Sequence, residues 1–259
     1  MTIRVATPAA PLVALRGIGK AFANGVAALD GFDLDLREGE FLTLLGPSGC
    51  GKSTALRLIA GLAEPSGGRI DWRDENAAQA IGFVFQEPTL LPWSDVFANV
   101  HLPLRLAGVA RETAAPRVRE ALAKVGLADF ESALPRELSG GMKMRAAIAR
   151  ALVTRPRLLL MDEPFAALDE VTRFRLNDDL LALKRELGTT IVFVTHSVYE
   201  SVYLSTRIIA LAARGGAVVD EIEIDAHVAR DEEFRASAEF ARLCRRASAA
   251  LRGAAGERL

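Results

Sequence analysis

The sequence predicts an α/β fold with a largely parallel sheet and an inserted helical unit. Two observations carry this. Short apolar runs alternate with helical stretches, as parallel strands joined by helical crossovers require. Strand signals then stop between Glu87 and Val153, where helical patterns take over. The first strands are expected at Leu12–Arg16, Gly31–Leu36 and Glu40–Leu45. Phe41-Leu42-Thr43-Leu44-Leu45 is short, apolar and stops at Gly46, as a strand covered on both faces should. A helix follows from Lys52 to Gly61, and Pro65-Ser66-Gly67-Gly68 reads as a turn. Ile81–Phe85 is another buried strand. In the helical unit, Pro92, Pro103, Pro116 and Pro135 are expected to break the helices. Strands return at Leu158–Met161 and Ile191–Val194, separated by a helix over Val171–Leu187. Ile208–Leu211 and Ala217–Val219 read as a closing hairpin. Residues 228–259 form a charged helical tail, with Phe234, Ala238, Ala241 and Leu243 as candidate buried positions.

Half of the 259 residues are hydrophobic, enough for one sizeable core and a smaller subdomain. Lysine and arginine number 32 against 33 aspartate and glutamate, so no basic field points to nucleic acid. Cys50 lies in a glycine loop and Cys244 in a charged helical stretch, which argues for a reducing compartment and against a disulfide framework. Met1 to Pro11 has no apolar core of signal-peptide length. No apolar run approaches the roughly 18 residues needed to span a bilayer. A soluble chain on the cytoplasmic side is expected, with any work at a membrane done through a partner.

Gly46-Pro47-Ser48-Gly49-Cys50-Gly51-Lys52-Ser53-Thr54 fits the pattern G-x-x-x-x-G-K-[ST], with an apolar strand before it and a helix after it. The glycines let backbone amides turn inward around a phosphate, and the helix N-terminus adds partial positive charge. Lys52 is expected to bridge the β- and γ-phosphates of a nucleotide, and the Ser53 hydroxyl to hold Mg²⁺. Leu158-Leu159-Leu160-Met161 ends in Asp162 and Glu163. In such a sheet these carboxylates lie beside the phosphates. Asp162 is expected to support Mg²⁺, and Glu163 to polarise an attacking water as a general base.

Leu138-Ser139-Gly140-Gly141-Met142 opens the helical run Met144–Leu152, and a serine and two glycines there make a second anion site. One nucleotide does not need two glycine loops from one chain. This segment, about twenty residues before the acidic strand, resembles the signature motif of ATP-binding cassette ATPases. Phe22 stands where that family stacks an aromatic ring on adenine. Gln86 matches the glutamine that senses Mg²⁺ and the attacking water. Ala167-Leu168-Asp169 resembles the loop that crosses the family's dimer interface, and His196 matches the histidine at the γ-phosphate. Taken singly, Phe22 and His196 read more readily as core residues, and Gln86 as a polar strand terminus. Met142 departs from the family's usual glutamine, and Met144 from a second one.

The resemblance implies a P-loop NTPase core of the RecA-like kind, with an N-terminal antiparallel β-subdomain. It spans residues 12–225, with the helical subdomain inserted at about 87–153 and a tail at 226–259. It implies ATP and Mg²⁺ as cofactors and a homodimer that holds ATP between the phosphate loop of one copy and the signature of the other. Gln86–Trp93 followed by Val96–Val100 is similar to the importer branch serving nitrate, sulfonates and taurine. His196–Tyr203 also suits members that carry pyrimidine-like vitamin precursors. The implied partners are an integral-membrane permease and, indirectly, an extracytoplasmic solute-binding protein. Leu90, Leu91, Trp93, Val96 and Phe97 are expected to present an apolar cleft to the permease. A cytosolic cassette working on ribosomes or nucleic acid is the alternative.

Overall fold

The computed structural model describes residues 10–23, 25–74 and 80–254. The expectation about the N-terminus falls mainly on residues 1–9, and the end of the tail on residues 255–259, both outside the described residues. Six strands form the central sheet in the order β5-β6-β7-β3-β8-β9. These are β3 (Phe41–Leu45), β5 (Ile81–Val84), β6 (Leu158–Asp162), β7 (Thr190–Thr195), β8 (Arg207–Leu211) and β9 (Val218–Glu223). The pairs from β5 to β8 are parallel, and β9 closes the sheet antiparallel to β8. A separate antiparallel sheet has β1 (Val13–Ala21) between β2 (Ala27–Leu36) and β4 (Gly67–Trp72).

The period-2 rule of strands divides the core in two. Phe41 and Leu45 of β3, Leu159 and Met161 of β6, and Ile191 and Phe193 of β7 face one apolar cluster, shared with the inserted helices. Their neighbours Leu42, Leu44, Leu158, Leu160, Val192 and Val194 face the other, shared with the antiparallel sheet. With both faces covered, these strands tolerate almost no polar side chain, which is why they read as continuous apolar runs.

The inserted segment carries α2 (Val96–Leu106), α3 (Arg111–Lys124) and α4 (Gly140–Leu152). Pro103 and Pro116 lie inside α2 and α3 and do not break them, contrary to expectation. Each removes one backbone donor, but Val100 and Leu104 in α2, and Ala114 and Val118 in α3, bury their side chains fully or nearly so, and this packing outweighs local propensity. The expected turn at Pro65–Gly68 is corrected in its second half, where Gly67 and Gly68 begin β4. That strand is exposed along one face and bears a glycine pair, so it lacks a strand's usual signal.

After the core sheet's helices α1 (Lys52–Ile59), α5 (Glu170–Leu187) and α6 (Val198–Leu204), the tail folds back as α7 (Glu232–Ala236) and α8 (Ala238–Ala254). Phe234 and Leu243 are buried as expected. Ala238 and Ala241 are exposed, and Phe240 and Ala247 take their place in the core. The helical phase of α8 sets this: residues 240, 243 and 247 lie on one face. No described helix is long and apolar enough to cross a membrane.

One buried ion pair ties β8 to the start of β3. Arg207 is 4% exposed and Glu40 8%. Arg207 donates to both carboxylate oxygens, at 2.9 and 2.8 Å. Arg207→Leu strands the Glu40 carboxylate in the interior and is expected to cost about 3–5 kcal/mol. A urea midpoint equal to that of the parent protein would refute this.

Candidate nucleotide site

The phosphate loop runs from Gly46, at the end of β3, to Gly51, the N-cap of α1. Gly51 has φ 107°, and a Cβ there would lie 2.5 Å from the Ala28 carbonyl oxygen. Only glycine satisfies both the left-handed backbone and the approach of β2. Gly51 offers no side-chain cap, and the first turn of α1 has no acidic residue. The amides of that turn are therefore open to an anion, which fits a phosphate group. Gly46 and Cys50 are buried, Pro47, Ser53 and Thr54 are half-buried, and Ser48 and Gly49 are exposed. Both cysteines are free.

Lys52 is 3% exposed. Its ammonium donates to the carbonyls of Gly46 and Pro47, each at 2.8 Å, and lies 3.8 Å from a Glu163 oxygen. Here the lysine is folded onto its own loop. Ser53 Oγ donates to Asp162 Oδ1 at 2.6 Å. Burial pushes the Asp162 carboxyl above the usual range, and the Ser53 hydrogen bond opposes this. No cluster of three or more His, Cys, Asp or Glu suited to a metal exists among the described residues. Mg²⁺ takes only one or two ligands from protein, and Ser53 and Asp162 are the side-chain oxygens that could supply them.

Glu163 follows β6 with φ 45°, while its amide remains bonded to the Val194 carbonyl at 3.0 Å. A glutamate held in the left-handed region while β7 fixes its backbone is the strain often stored at reacting sites. One Glu163 oxygen lies 3.0 Å from His196 Nδ1, the other near Lys52. His196 is exposed, which removes the core-histidine alternative. Phe22 is 44% exposed, in the turn between β1 and β2, so it is not a core aromatic either. The ammonium of Lys20 lies 5.8 Å from its ring centre. Gln86 is exposed after β5 and makes no hydrogen bond among the described residues.

The second glycine loop is built differently. Ser139 is the N-cap of α4 and accepts the Met142 amide at 3.3 Å. Ser139 and Gly140 are exposed, and Gly141 is buried. A Cβ on Gly140 would lie 3.3 Å from Leu168, and one on Gly141 2.7 Å from Thr172. Met142 is half-buried and packs against the core. Asp169 is the N-cap of α5, accepting the Thr172 amide at 2.9 Å, and hydrogen bonding by the Thr172 side chain, with the amide, holds its carboxyl below the usual range.

Two groups therefore form within the chain. Lys52, Ser53, Asp162, Glu163 and His196 meet at the carboxyl ends of β3, β6 and β7. Ser139, Gly140 and Gly141 lie against Leu168 and Thr172. Among the described residues no hydrogen bond or ion pair joins residues 46–54 to residues 138–142.

The expected apolar cleft also changes. Val96 and Phe97 are core residues, 0% and 4% exposed, while Trp93 is 76% exposed and Leu90 and Leu91 are half-buried. The N-cap at Asp95 turns α2 inward at this point, so the side chains after it face the core. Sequence reasoning did not reach Arg150, which donates from α4 to the carbonyls of Pro88 and Thr89 at 2.9 and 2.8 Å. It thereby ties the helix behind Ser139 to the segment behind Gln86. Nor did it reach Glu200, buried in α6, which accepts the Thr195 hydroxyl at 2.6 Å beside His196.

A lysine-bearing glycine loop facing two carboxylates at strand ends places the chain among the P-loop nucleoside triphosphatases. Comparison with known proteins narrows that class. The family model for the ABC transporter matches residues 29–166. An aliphatic sulfonates import ATP-binding protein of Xanthomonas axonopodis pv. citri is 43% identical, over 85% of this chain and 88% of its own length. A taurine import ATP-binding protein of Rhizobium johnstonii is also 43% identical, over 86% of this chain and 88% of its own. Among solved structures, a dimeric ATP-binding cassette in a post-hydrolysis state with ADP and Pi aligns with TM-score 0.72 and 34% identity, covering 83% of this chain and 99% of that one. The chain belongs to the ABC transporter family and is an ATP-binding subunit with ATPase activity.

Proposed function

We propose that this chain energises import of a small solute by hydrolysing ATP as a head-to-tail homodimer docked on a membrane permease. The observation that supports the proposal is the pair of glycine loops between which, among the described residues, no hydrogen bond or ion pair runs. A two-fold axis gives each loop its counterpart in the other copy. The phosphate loop of one copy then holds ATP from one side, and Ser139, Gly140 and Gly141 of the other close on the γ-phosphate.

In this reading Lys52 exchanges its two carbonyl acceptors for phosphate oxygens. Phe22 stacks on the adenine, and the amides of Gly49 to Thr54 surround the β-phosphate. Ser53 and Asp162, with Gln86 nearby, would hold Mg²⁺, which when bound would supply charge neutralisation at the phosphates. Glu163 accepts a proton from the attacking water, and His196 fixes the γ-phosphate and the carboxylate together. Asp169 and Met142 sit where the two copies face each other, Asp169 shaping its loop as a cap.

Leu90, Leu91 and Trp93 form the apolar surface offered to the permease, and the chain works at the cytoplasmic face of the membrane. A solute-binding protein on the far side acts through that permease. The names of the sulfonate and taurine relatives support a small sulfonate-like solute.

Ser139→Arg tests the composite site. ATP binding to the single chain is expected to hold, while hydrolysis falls by about 10²-fold or more, as for loss of a transition-state donor. Normal turnover by a monomeric variant would defeat the proposal. Co-purification supplies the transport arm: a tagged chain is expected to bring down a membrane permease, and recovery only with ribosomes or DNA would exclude import.

A further inference from the structure

The turn that carries His196 is held on both sides by one hydroxyl. Thr195 Oγ1 accepts the Ser197 amide at 3.0 Å and donates to Glu200 Oε2 at 2.6 Å. Glu200 lies in α6 and is 5% exposed. Its own amide donates to the Ser197 hydroxyl at 3.3 Å, so its side chain and its backbone both close this turn. A carboxylate buried to that extent is costly unless it is paired and hydrogen-bonded.

The paired charge comes from α5. Glu200 Oε1 faces Arg173 Nε at 3.3 Å. That nitrogen is buried and makes no hydrogen bond, so the contact is one of charge, without the alignment of a bonded pair. The guanidinium also donates to the Leu168 carbonyl at 3.1 Å. Leu168 precedes Asp169, the N-cap of α5, and its side chain is the one that a Cβ on Gly140 would meet. Burial pushes the Glu200 carboxyl up, and the Thr195 hydroxyl and the Arg173 charge oppose this. One carboxylate thus joins the turn around His196 to the loop Ala167–Asp169. Among the described residues, neither Glu200 nor Arg173 has a hydrogen bond or ion pair to Lys52, Ser53, Asp162 or Glu163. His196 does reach that group, with Nδ1 3.0 Å from Glu163.

We propose that Glu200 and Arg173 are positioning residues for ATP hydrolysis, which hold the His196 turn at a fixed offset from the loop Ala167–Asp169. The inference rests on the reading of His196 as the group that fixes the γ-phosphate and Glu163 together. Arg173 is anchored on the Leu168 carbonyl, Glu200 is anchored on Arg173, and the Thr195 hydroxyl is anchored on Glu200. His196 sits between the two residues that this hydroxyl bonds together. In the proposed dimer the loop faces the other copy, so the pair relates the His196 turn to the interface. Misplacing a reacting group by about 1 Å costs up to about 10²-fold in rate, while binding by the phosphate loop is spared.

Steady-state hydrolysis of ATP with Mg²⁺ by full-length Glu200→Leu, alone and combined with His196→Ala, tests it. Leucine keeps the bulk and removes both anchors. Alone, the variant is expected to lose about tenfold or more in kcat, with ATP affinity within about twofold of the parent chain. Combined with His196→Ala, it should lose less than about twofold further, because residues that act as a unit are not additive. Should Glu200→Leu fail to fold, Glu200→Gln decides in the same two backgrounds. It keeps the shape and the Thr195 acceptor, loses only the charge facing Arg173, and is expected to lose about threefold or more alone. A folded variant with the parent kcat overturns the proposal. So does a loss of the same factor in both backgrounds, the mark of a merely structural role. If His196→Ala itself turns over at the parent rate, the reading of His196 fails and this inference falls with it. If His196→Ala is slow and the Glu200 variant is not, the inference alone fails.

Discussion

Glu163→Gln is expected to slow ATP hydrolysis by about 10²–10⁴-fold at saturating ATP, the range associated with loss of a general base. ATP affinity should stay within about twofold, because the substitution keeps the side chain's shape and leaves the phosphate loop intact. The geometry separates the two effects. Lys52 loses a carboxylate at 3.8 Å but keeps both loop carbonyls at 2.8 Å. The His196 contact at 3.0 Å can be kept by the amide. What disappears is the capacity to take a proton. Single-turnover hydrolysis with labelled ATP measures this. A rate near that of the parent chain would remove Glu163 from the chemistry.

The second large effect is expected at Lys52. Lys52→Ala should weaken ATP binding by about 10- to 150-fold, since a hydrogen bond to a charged group contributes about 1.5–3 kcal/mol. A loss of stability accompanies it, because the ammonium is 3% exposed and anchors the carbonyls of Gly46 and Pro47. A nucleotide analogue at high concentration should raise the melting temperature of the parent chain but change that of the variant little. Equal ATP affinity in both chains would count against the phosphate-loop assignment.

Legibility followed the range of the interactions. The strands β3, β6 and β7 were readable because both faces are covered, which leaves five or six consecutive buried residues, apolar except for Thr43, Asp162, Thr190 and Thr195. The phosphate loop and the acids after β6 were readable because the chemistry demands fixed residues at short spacing. Glu163 and His196 are 33 residues apart, and their contact arises only when β6 and β7 pair in register. Arg207 and Glu40 are 167 residues apart, and no local pattern announces them. Pro103 and Pro116 misled because helix propensity is a local quantity, while the packing of α2 and α3 decides their state. The pair Gly67-Gly68 misled in the opposite direction, a strand with the composition of a turn.

The second glycine loop shows what local reading can and cannot do. Ser139, Gly140 and Gly141 read as an anion site from residue types alone. Which nucleotide they serve depends on where the chain puts them. In the fold Gly140 and Gly141 rest against Leu168 and Thr172, with no hydrogen bond or ion pair among the described residues to the loop that holds Lys52. A second copy supplies the missing half in the proposed assembly, and γ-phosphate contacts across it drive closure and release.

The molar mass of Glu163→Gln in solution, by light scattering with ATP and Mg²⁺ and again with ADP, tests that composite site most directly. Twice the chain mass of 27.8 kDa with ATP, and the single-chain mass with ADP or after adding Ser139→Arg, is the predicted result. A single-chain mass with ATP demonstrably bound would contradict the account.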